Sequence, residues 1–518
     1  MIFFTDKDNS TYSTDRPEEF LSERSIARRQ RQGITVDDSD LPVNESYVQV
    51  LIDQDVEVFF ETKWLNGVLV QSEESELPVI QSQVFVREIE LVARKDRLLN
   101  PTPKSGRLKS ILTRNRSSRE SESQNAMLSV DEMHNRDYFG EGVMIAVFDG
   151  GFDNVNEIEY FSHIFDEERM AATYDFVTNS GDVFQFDNHG TRVFSAIAGF
   201  ADGGFNGTAY KADYILCVTE DGLSEFRIEE YNWLFAAEFA DSVGVDIINT
   251  SLGYNVFDDS NMNYTHEDLD GKTALITQAS NIAAEKGILL VASAGNEGDN
   301  SWGKITPPAD SPYVIAVGGI TDSGDLSGFS SLGPTADERI KPDVVALGTD
   351  VTLIGSNGGI VTSDGTSFSS PLVAGLAAGI WQARPELTNF ELIDLIRMSA
   401  DNTLSPDNFM GYGVPDFLKA VGNQVLSVDD IIKEKIKVYP NPFRGNRIFI
   451  DVDSKLSKGG LEIELYNLSG SLIAQKNLVQ TDLRGVVEFE IDSFIAPGTY
   501  LLKVITRNKI NQVKLIKY

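Results

Sequence analysis

Val143-Met144-Ile145-Ala146-Val147-Phe148-Asp149-Gly150-Gly151 is an unbroken apolar run that stops on a carboxylate and two glycines. Such a run reads as a strand covered on both faces, because a strand with one wet face would alternate polar and apolar residues. Similar runs recur at 214–218, 245–249, 288–292 and 314–317. Helix-like stretches lie among and after them, at 191–198, 229–242, 274–286, 371–383 and 389–399. Strands alternating with helices predict an α/β fold, a parallel sheet with helices on both faces. Ligands of such a sheet bind beyond the carboxyl ends of its strands. Asp149 ends one strand and Asn296 falls just after another, so both stand where a site is expected.

Two more motifs carry chemistry. His189, in Asp187-Asn188-His189-Gly190-Thr191, opens a helix-like run. Ser367 lies in Asp364-Gly365-Thr366-Ser367-Phe368-Ser369-Ser370-Pro371, ahead of the small-residue run Ala374-Gly375-Leu376-Ala377-Ala378-Gly379. A serine at a helix start is exposed, and the helix N-terminus favours the negative charge that develops during acyl transfer. The small residues allow that helix to pass through the crowded centre of a domain. An Asp, a His and a Ser can act as orienter, base and nucleophile.

The chain order Asp, His, Ser is that of subtilisin and differs from those of chymotrypsin and the α/β-hydrolases. With Ala292-Ser293-Ala294-Gly295-Asn296-Glu297-Gly298 between the His and Ser motifs, residues 126–422 resemble a subtilisin-like serine protease of peptidase family S8. The resemblance implies a serine endopeptidase working through an acyl-enzyme. Ser367 would be its nucleophile, His189 its base and Asp149 the orienter of His189. The Asn296 side-chain amide and the Ser367 N–H would stabilise the oxyanion. It also implies that Ser251-Leu252-Gly253 pairs with an extended peptide, with Ser293-Ala294-Gly295 as the other wall of the primary pocket. Those small, uncharged walls predict a broad or apolar preference at the residue before the cut. Two positions depart from the family pattern: Arg192 stands where a second His is usual, and Asp149-Gly150-Gly151 replaces Asp-Thr-Gly. No cofactor is expected in the chemistry and no metal ligand is assigned, although subtilisins often hold structural calcium. The acidic stretch containing Asp258, Asp259, Glu267, Asp268 and Asp270 lacks the complete spacing of a calcium loop and reads as solvated. His134, His163 and His266 have no motif context and are expected at the surface.

The flanks read as separate modules. Residues 1–103 carry a strand–helix–hairpin–strand succession, with Asn66-Gly67 as the hairpin signal. This α+β unit resembles the ferredoxin-like prosegment of subtilisin proteases, which implies an inhibitor and folding helper. Residues 104–125, rich in Ser and Arg, read as an exposed linker and maturation site. A second linker is expected at 423–436. Residues 437–518 alternate with period two, as in Leu461-Glu462-Ile463-Glu464-Leu465, and predict an all-β sandwich of about seven strands. Its Val438-Tyr439-Pro440-Asn441-Pro442-Phe443 opening and its Lys514-Leu515-Ile516-Lys517-Tyr518 ending resemble the C-terminal sorting domain of type IX secretion. That resemblance implies export to the outer membrane or beyond and a secretion machinery as partner.

Charge separates the modules. Residues 126–425 hold 13 basic and 46 acidic side chains, whereas 437–518 hold 12 and 8. An acidic body repels phosphate, so nucleic acid is excluded as a partner, and protein or peptide substrates are expected. The single Cys217 rules out an intrachain disulfide, and no apolar stretch reaches the roughly 18 residues that span a bilayer. Met1-Ile2-Phe3-Phe4 reads as a strand rather than a signal peptide. The rival function is a catalytically silent subtilisin fold used as a binding or adhesive module; an intact triad weighs against it.

Overall fold

The computed structural model describes residues 1–93, 114–115, 121–422 and, in the C-terminal module, the strands between 437 and 517 with a few adjoining residues. It falls into two compact units, 1–423 and 424–518. The larger unit is built on a seven-stranded sheet. Its order is Val344–Leu347, Val314–Ile320, Leu289–Ser293, Ile247–Thr250, Met144–Asp149, Asp213–Val218 and Met170–Asp175. Every neighbouring pair is parallel.

Alternation of side chains along the Met144–Asp149 strand divides the core in two. Ile145 and Val147 pack with Val193 and Phe194 of the helix His189–Ala198 and with Leu372 and Leu376 of Thr366–Ala383. Ala146 and Phe148 pack on the other face with Trp233 and Leu234 of Ile228–Val243 and with Ile276 of Leu275–Glu285. The strand is buried throughout, as its unbroken apolar run predicts. Two edge strands, Met170–Asp175 and Val344–Leu347, are additions to the sequence reading.

Pro371 lies inside the helix Thr366–Ala383 rather than at its start. A proline five residues in removes the N–H that would bond the carbonyl four positions back. That carbonyl belongs to Ser367, and it accepts a hydrogen bond from Ser251 Oγ at 2.8 Å instead. The helix therefore begins one turn earlier than a proline suggests, and the freed carbonyl ties its first turn to the neighbouring strand end.

Residues 1–93 form an antiparallel sheet in the order Glu57–Thr62, Gly67–Gln71, Ile2–Phe4, Val86–Ile89. This is the strand order of a ferredoxin-like fold, with the helix Glu23–Gln32 in the first crossover, capped by Ser22. A second helix, Glu45–Ile52, was not anticipated from the sequence. The unit docks on Ile228–Val243 through charge. Glu238 accepts hydrogen bonds from Thr62 Oγ1 (2.5 Å), Lys63 N (2.9 Å) and Trp64 N (3.1 Å). Asp241 takes Arg28 at 2.6 Å, Arg29 at 2.8 Å and Lys63 at 3.2 Å, and Arg29 also meets Asp40 at 2.9 Å.

The smaller unit holds two antiparallel sheets. One contains Lys437–Tyr439, Arg447–Val452 and Gly485–Glu490; the other is ordered Leu472–Leu478, Leu461–Asn467, Gly498–Thr506, Lys509–Lys517. Phe443, Ile448, Ile450, Ile463, Leu465, Phe489 and Leu502 are among its own buried core residues. No helix among the described residues is long and apolar enough to cross a membrane.

Candidate active site

Register in the central sheet brings the site together. Phe148 lies opposite Thr250, and Thr250 opposite Ala292, so the three strands end level with one another. Asp149, Ser251 and Ser293 are the residues at or just beyond those ends. Asp149 is 1% exposed, and its Oδ1 accepts from Gly150 N at 2.9 Å. His189 is the first residue of its helix, and Asp187 Oδ1 accepts its backbone N–H at 2.9 Å. The His189 Nδ1 stands 2.9 and 3.1 Å from the two Asp149 oxygens. Gly190 makes this approach feasible: a Cβ there would fall 2.2 Å from the Gly151 carbonyl oxygen and 3.0 Å from Asp149 Cβ.

Two forces act on the imidazole. Burial favours the neutral ring, but the Asp149 charge and hydrogen bond outweigh it and raise the pKa above the ordinary histidine value. With Nδ1–H committed to Asp149, Nε2 is the nitrogen left to take a proton.

Ser367 is the second residue of its helix and 8% exposed. Its hydroxyl donates to the Ser251 carbonyl at 3.3 Å, and no Ser367–His189 hydrogen bond is formed. The Phe368 ring lies 5.5 Å from the His189 ring. Asn296 Oδ1 accepts both Thr366 N (2.9 Å) and Thr366 Oγ1 (3.0 Å), so the side chain caps the Ser367 helix. Once the oxygen is so held, Nδ2 is the donor end; it stands 3.6 Å from where a Cβ on Gly365 would be. Gly365, at φ +148°, presents no side chain between that amide and Ser367.

Of the expected pocket walls, Ser251 is fixed by the Ser367 carbonyl and by the Ser370 hydroxyl at 3.1 Å. Ser293 and Ala294 are buried strand-end residues, and Gly295 takes φ +106°. Gly253 and Gly295 face one residue that the motifs did not reveal. A Cβ on Gly253 would fall 2.1 Å from Thr306 Oγ1, and one on Gly295 would fall 2.9 Å from it. Thr306 is 4% exposed, its N–H donates to the Ala294 carbonyl at 3.1 Å, and its hydroxyl has no hydrogen-bond partner. It lies between the segments that carry those two glycines.

The departures at the site are accommodated. Arg192 donates to Asn188 Oδ1 and, at 3.4 Å, to Ser363 Oγ. His134 and His163 are half-buried rather than superficial; Thr208 O lies 3.1 Å from a ring nitrogen of His134, and Tyr210 O lies 3.1 Å from one of His163. Cys217 is buried, and burial pushes its thiol up. The acidic stretch does not assemble into a ligand set. Asp259 caps the turn at Asn261, Asp268 forms a capping box with Thr265, and Asp270 accepts from Lys272 N and Thr273 N. Among the described residues, the carboxylates that converge are Glu220, Glu225 and Glu229. Burial, the charge of Glu225 and, more weakly, that of Asp149 push the Glu220 carboxyl up to about 8.

The chain is similar in sequence to known proteins. Subtilisin NAT of Bacillus subtilis subsp. natto is 30% identical over 279 residues, which cover 53% of this chain and 65% of that protein. Subtilisin of Bacillus pumilus is 30% identical over 283 residues, covering 53% of this chain and 90% of the other. Among solved structures, MycP1 from Mycobacterium smegmatis aligns with a TM-score of 0.46 and 24% identity, covering 60% of this chain and 89% of that one. Residues 1–107 match the Bacteroidota peptidase S8 propeptide domain, and residues 437–518 match the secretion system C-terminal sorting domain. The subtilase family matches residues 140–413, more than half of the chain, and that span encloses Asp149, His189, Asn296 and Ser367; the protein belongs to the subtilase family.

Proposed function

We propose that the chain is the zymogen of an exported serine endopeptidase, with a prosegment in 1–103, a maturation linker in 104–125, a protease domain in 126–422 and a sorting module in 437–518. The observation that carries the reading is the Asp149 carboxylate on His189 Nδ1, at the carboxyl ends of the central strands, where Ser251 and Asn296 hold the first turn of the Ser367 helix. Ser367 Oγ attacks the scissile carbonyl while His189 Nε2 takes its proton. The same imidazolium then protonates the leaving amine, and water repeats the sequence to release the acyl group. Asn296 Nδ2 and the Ser367 N–H donate to the oxyanion. For attack, the serine hydroxyl must leave the Ser251 carbonyl and turn to His189; catalytic hydrogen bonds often tighten only once substrate is bound.

The test is fluorophosphonate labelling after limited proteolysis has removed the prosegment, with Ser367→Ala as control. Label mapped to Ser367 and lost in the variant is the expected result. Absence of label from the processed wild-type chain would favour the silent binding module instead.

Thr306 sets the depth of the primary pocket in this reading. Its methyl and hydroxyl occupy the gap between Gly253 and Gly295, so small side chains fit best before the cut. Thr306→Gly should shift preference toward aromatic residues by about tenfold or more in kcat/KM, on the order of one to two buried methylenes' worth of contact. A panel of peptides differing only at that position reads the change, and an unaltered ranking would dismiss Thr306 as the floor.

A further inference from the structure

Beyond the triad, one group of side chains holds unsatisfied chemistry. Glu220 follows the strand Asp213–Val218, Glu225 lies in the loop after it, and Glu229 is in the first turn of Ile228–Val243. One carboxylate oxygen from each lies within 4.8 Å of the other two. Glu229 is 1% exposed, and its Oε1 has no hydrogen-bond partner. Neither Glu220 nor Glu229 takes part in an ion pair among the described residues. Glu220 Oε1 accepts instead from the hydroxyl of buried Tyr254 and from Thr219 Oγ1 at 3.2 Å. A buried carboxylate oxygen with no donor, on a side chain clustered with two further carboxylates, requires either a proton or a cation.

We infer that Glu220, Glu225 and Glu229 form a calcium site beside the active centre. All-oxygen, carboxylate-rich ligation selects a hard divalent ion. Calcium–oxygen distances near 2.4 Å put ligands on opposite sides of the ion about 4.8 Å apart, and the three carboxylate oxygens lie no farther apart than that. The near-complete burial of Glu229 suits a bare ion better than a long basic side chain. The site has a structural role at the cleft. Thr219 N donates to the Asp149 carbonyl at 3.0 Å, and a Cβ on Gly150 would touch Glu220 Cβ at 3.7 Å. Calcium joining residues 220, 225 and 229 thus braces the segment that backs the His189 orienter.

The experiment uses the full chain carrying Ser367→Ala, which prevents self-digestion, stripped with chelator and titrated with calcium chloride by calorimetry and thermal melting. Expected are a calcium-dependent rise in Tm and a binding event that Glu229→Gln and Glu220→Gln each weaken about tenfold or more, because affinity follows ligand charge count. Magnesium should not substitute. Terbium emission excited through tyrosine gives a second readout, expected to fall in Tyr254→Phe and to vanish in Glu229→Gln. Equal calcium responses in parent and variants, or none in any, would overturn the site. So would a parent chain that ignores calcium while Glu229→Gln, with Ser367 restored, selectively loses cleavage of peptides bearing Lys or Arg ahead of the cut.

Discussion

Asp149→Asn should lower kcat by about 10⁴ and move the acid limb of the pH–rate profile to lower pH. The first effect follows from orientation: an amide donating to Nδ1 selects the wrong imidazole tautomer, and the magnitude is the one known for the equivalent change in another serine protease. The second follows from the balance at His189. Burial depresses the imidazole pKa and Asp149 raises it, with a net rise above the ordinary value. Activity needs the neutral ring, so in the parent enzyme it grows as pH climbs through that raised pKa. Once Asp149 loses its charge, burial and the Arg192 charge are opposed only by the weaker charge of Asp187, and the ring deprotonates at lower pH. Stability responds with the opposite sense. A raised histidine pKa contributes stability below the unfolded value that is lost as pH rises through the folded one, so the Asn variant should lose its deficit relative to wild type above that range. A pH–rate profile with an unmoved acid limb would separate Asp149 from the titration of His189.

The local motifs were legible because their chemistry is local. Asp149 closes an apolar strand, His189 and Ser367 open helices, and each setting can be read within ten residues. Residues that reach the site through packing carried no such signal. Thr306 sits in Ile305-Thr306-Pro307-Pro308, a stretch with nothing catalytic about it, and comes to the proposed pocket only because the fold brings Gly253 and Gly295 against it. Glu220, Glu225 and Glu229 come from a strand end, a loop and a helix start, so no calcium-loop spacing exists to be found. Pro371 misled the helix boundary, since a proline normally marks a first turn. Here the Ser251 hydroxyl satisfies the carbonyl that it orphans. The edge strand Met170–Asp175 is half exposed, so it lacks the continuous apolar run that identified the central ones.

Removing one charge from the prosegment interface should release inhibition by about 10² to 10³, and acid should not achieve the same. Arg28 and Arg29 have side chains only 1% exposed, and Asp241 between them has none exposed. Breaking a buried pair costs about 3–5 kcal/mol because the remaining charge has no water to return to. Arg29→Ala takes from Asp241 the cation it shares with Asp40, leaving Asp241 to Arg28 and Lys63 and Asp40 to Lys286, whereas Asp241→Ala leaves buried Arg28 without an ion partner among the described residues and should release the inhibition further. The pH behaviour follows from Asp241. Burial would raise its pKa, but Lys63, Arg28 and Arg29 together hold it at about 2. A depressed carboxylate contributes stability above its unfolded pKa, near 3.8, and loses it only as pH falls toward 2. The latch is therefore intact throughout the range in which His189 can be neutral. In the proposed zymogen, maturation should then depend on cutting the chain and digesting the prosegment rather than on acidification. Inhibition constants of an added 1–103 peptide against the processed protease, measured from pH 4.5 to 8, provide the check. Affinity that collapses near pH 5 in the wild-type pair would place the controlling group elsewhere than Asp241.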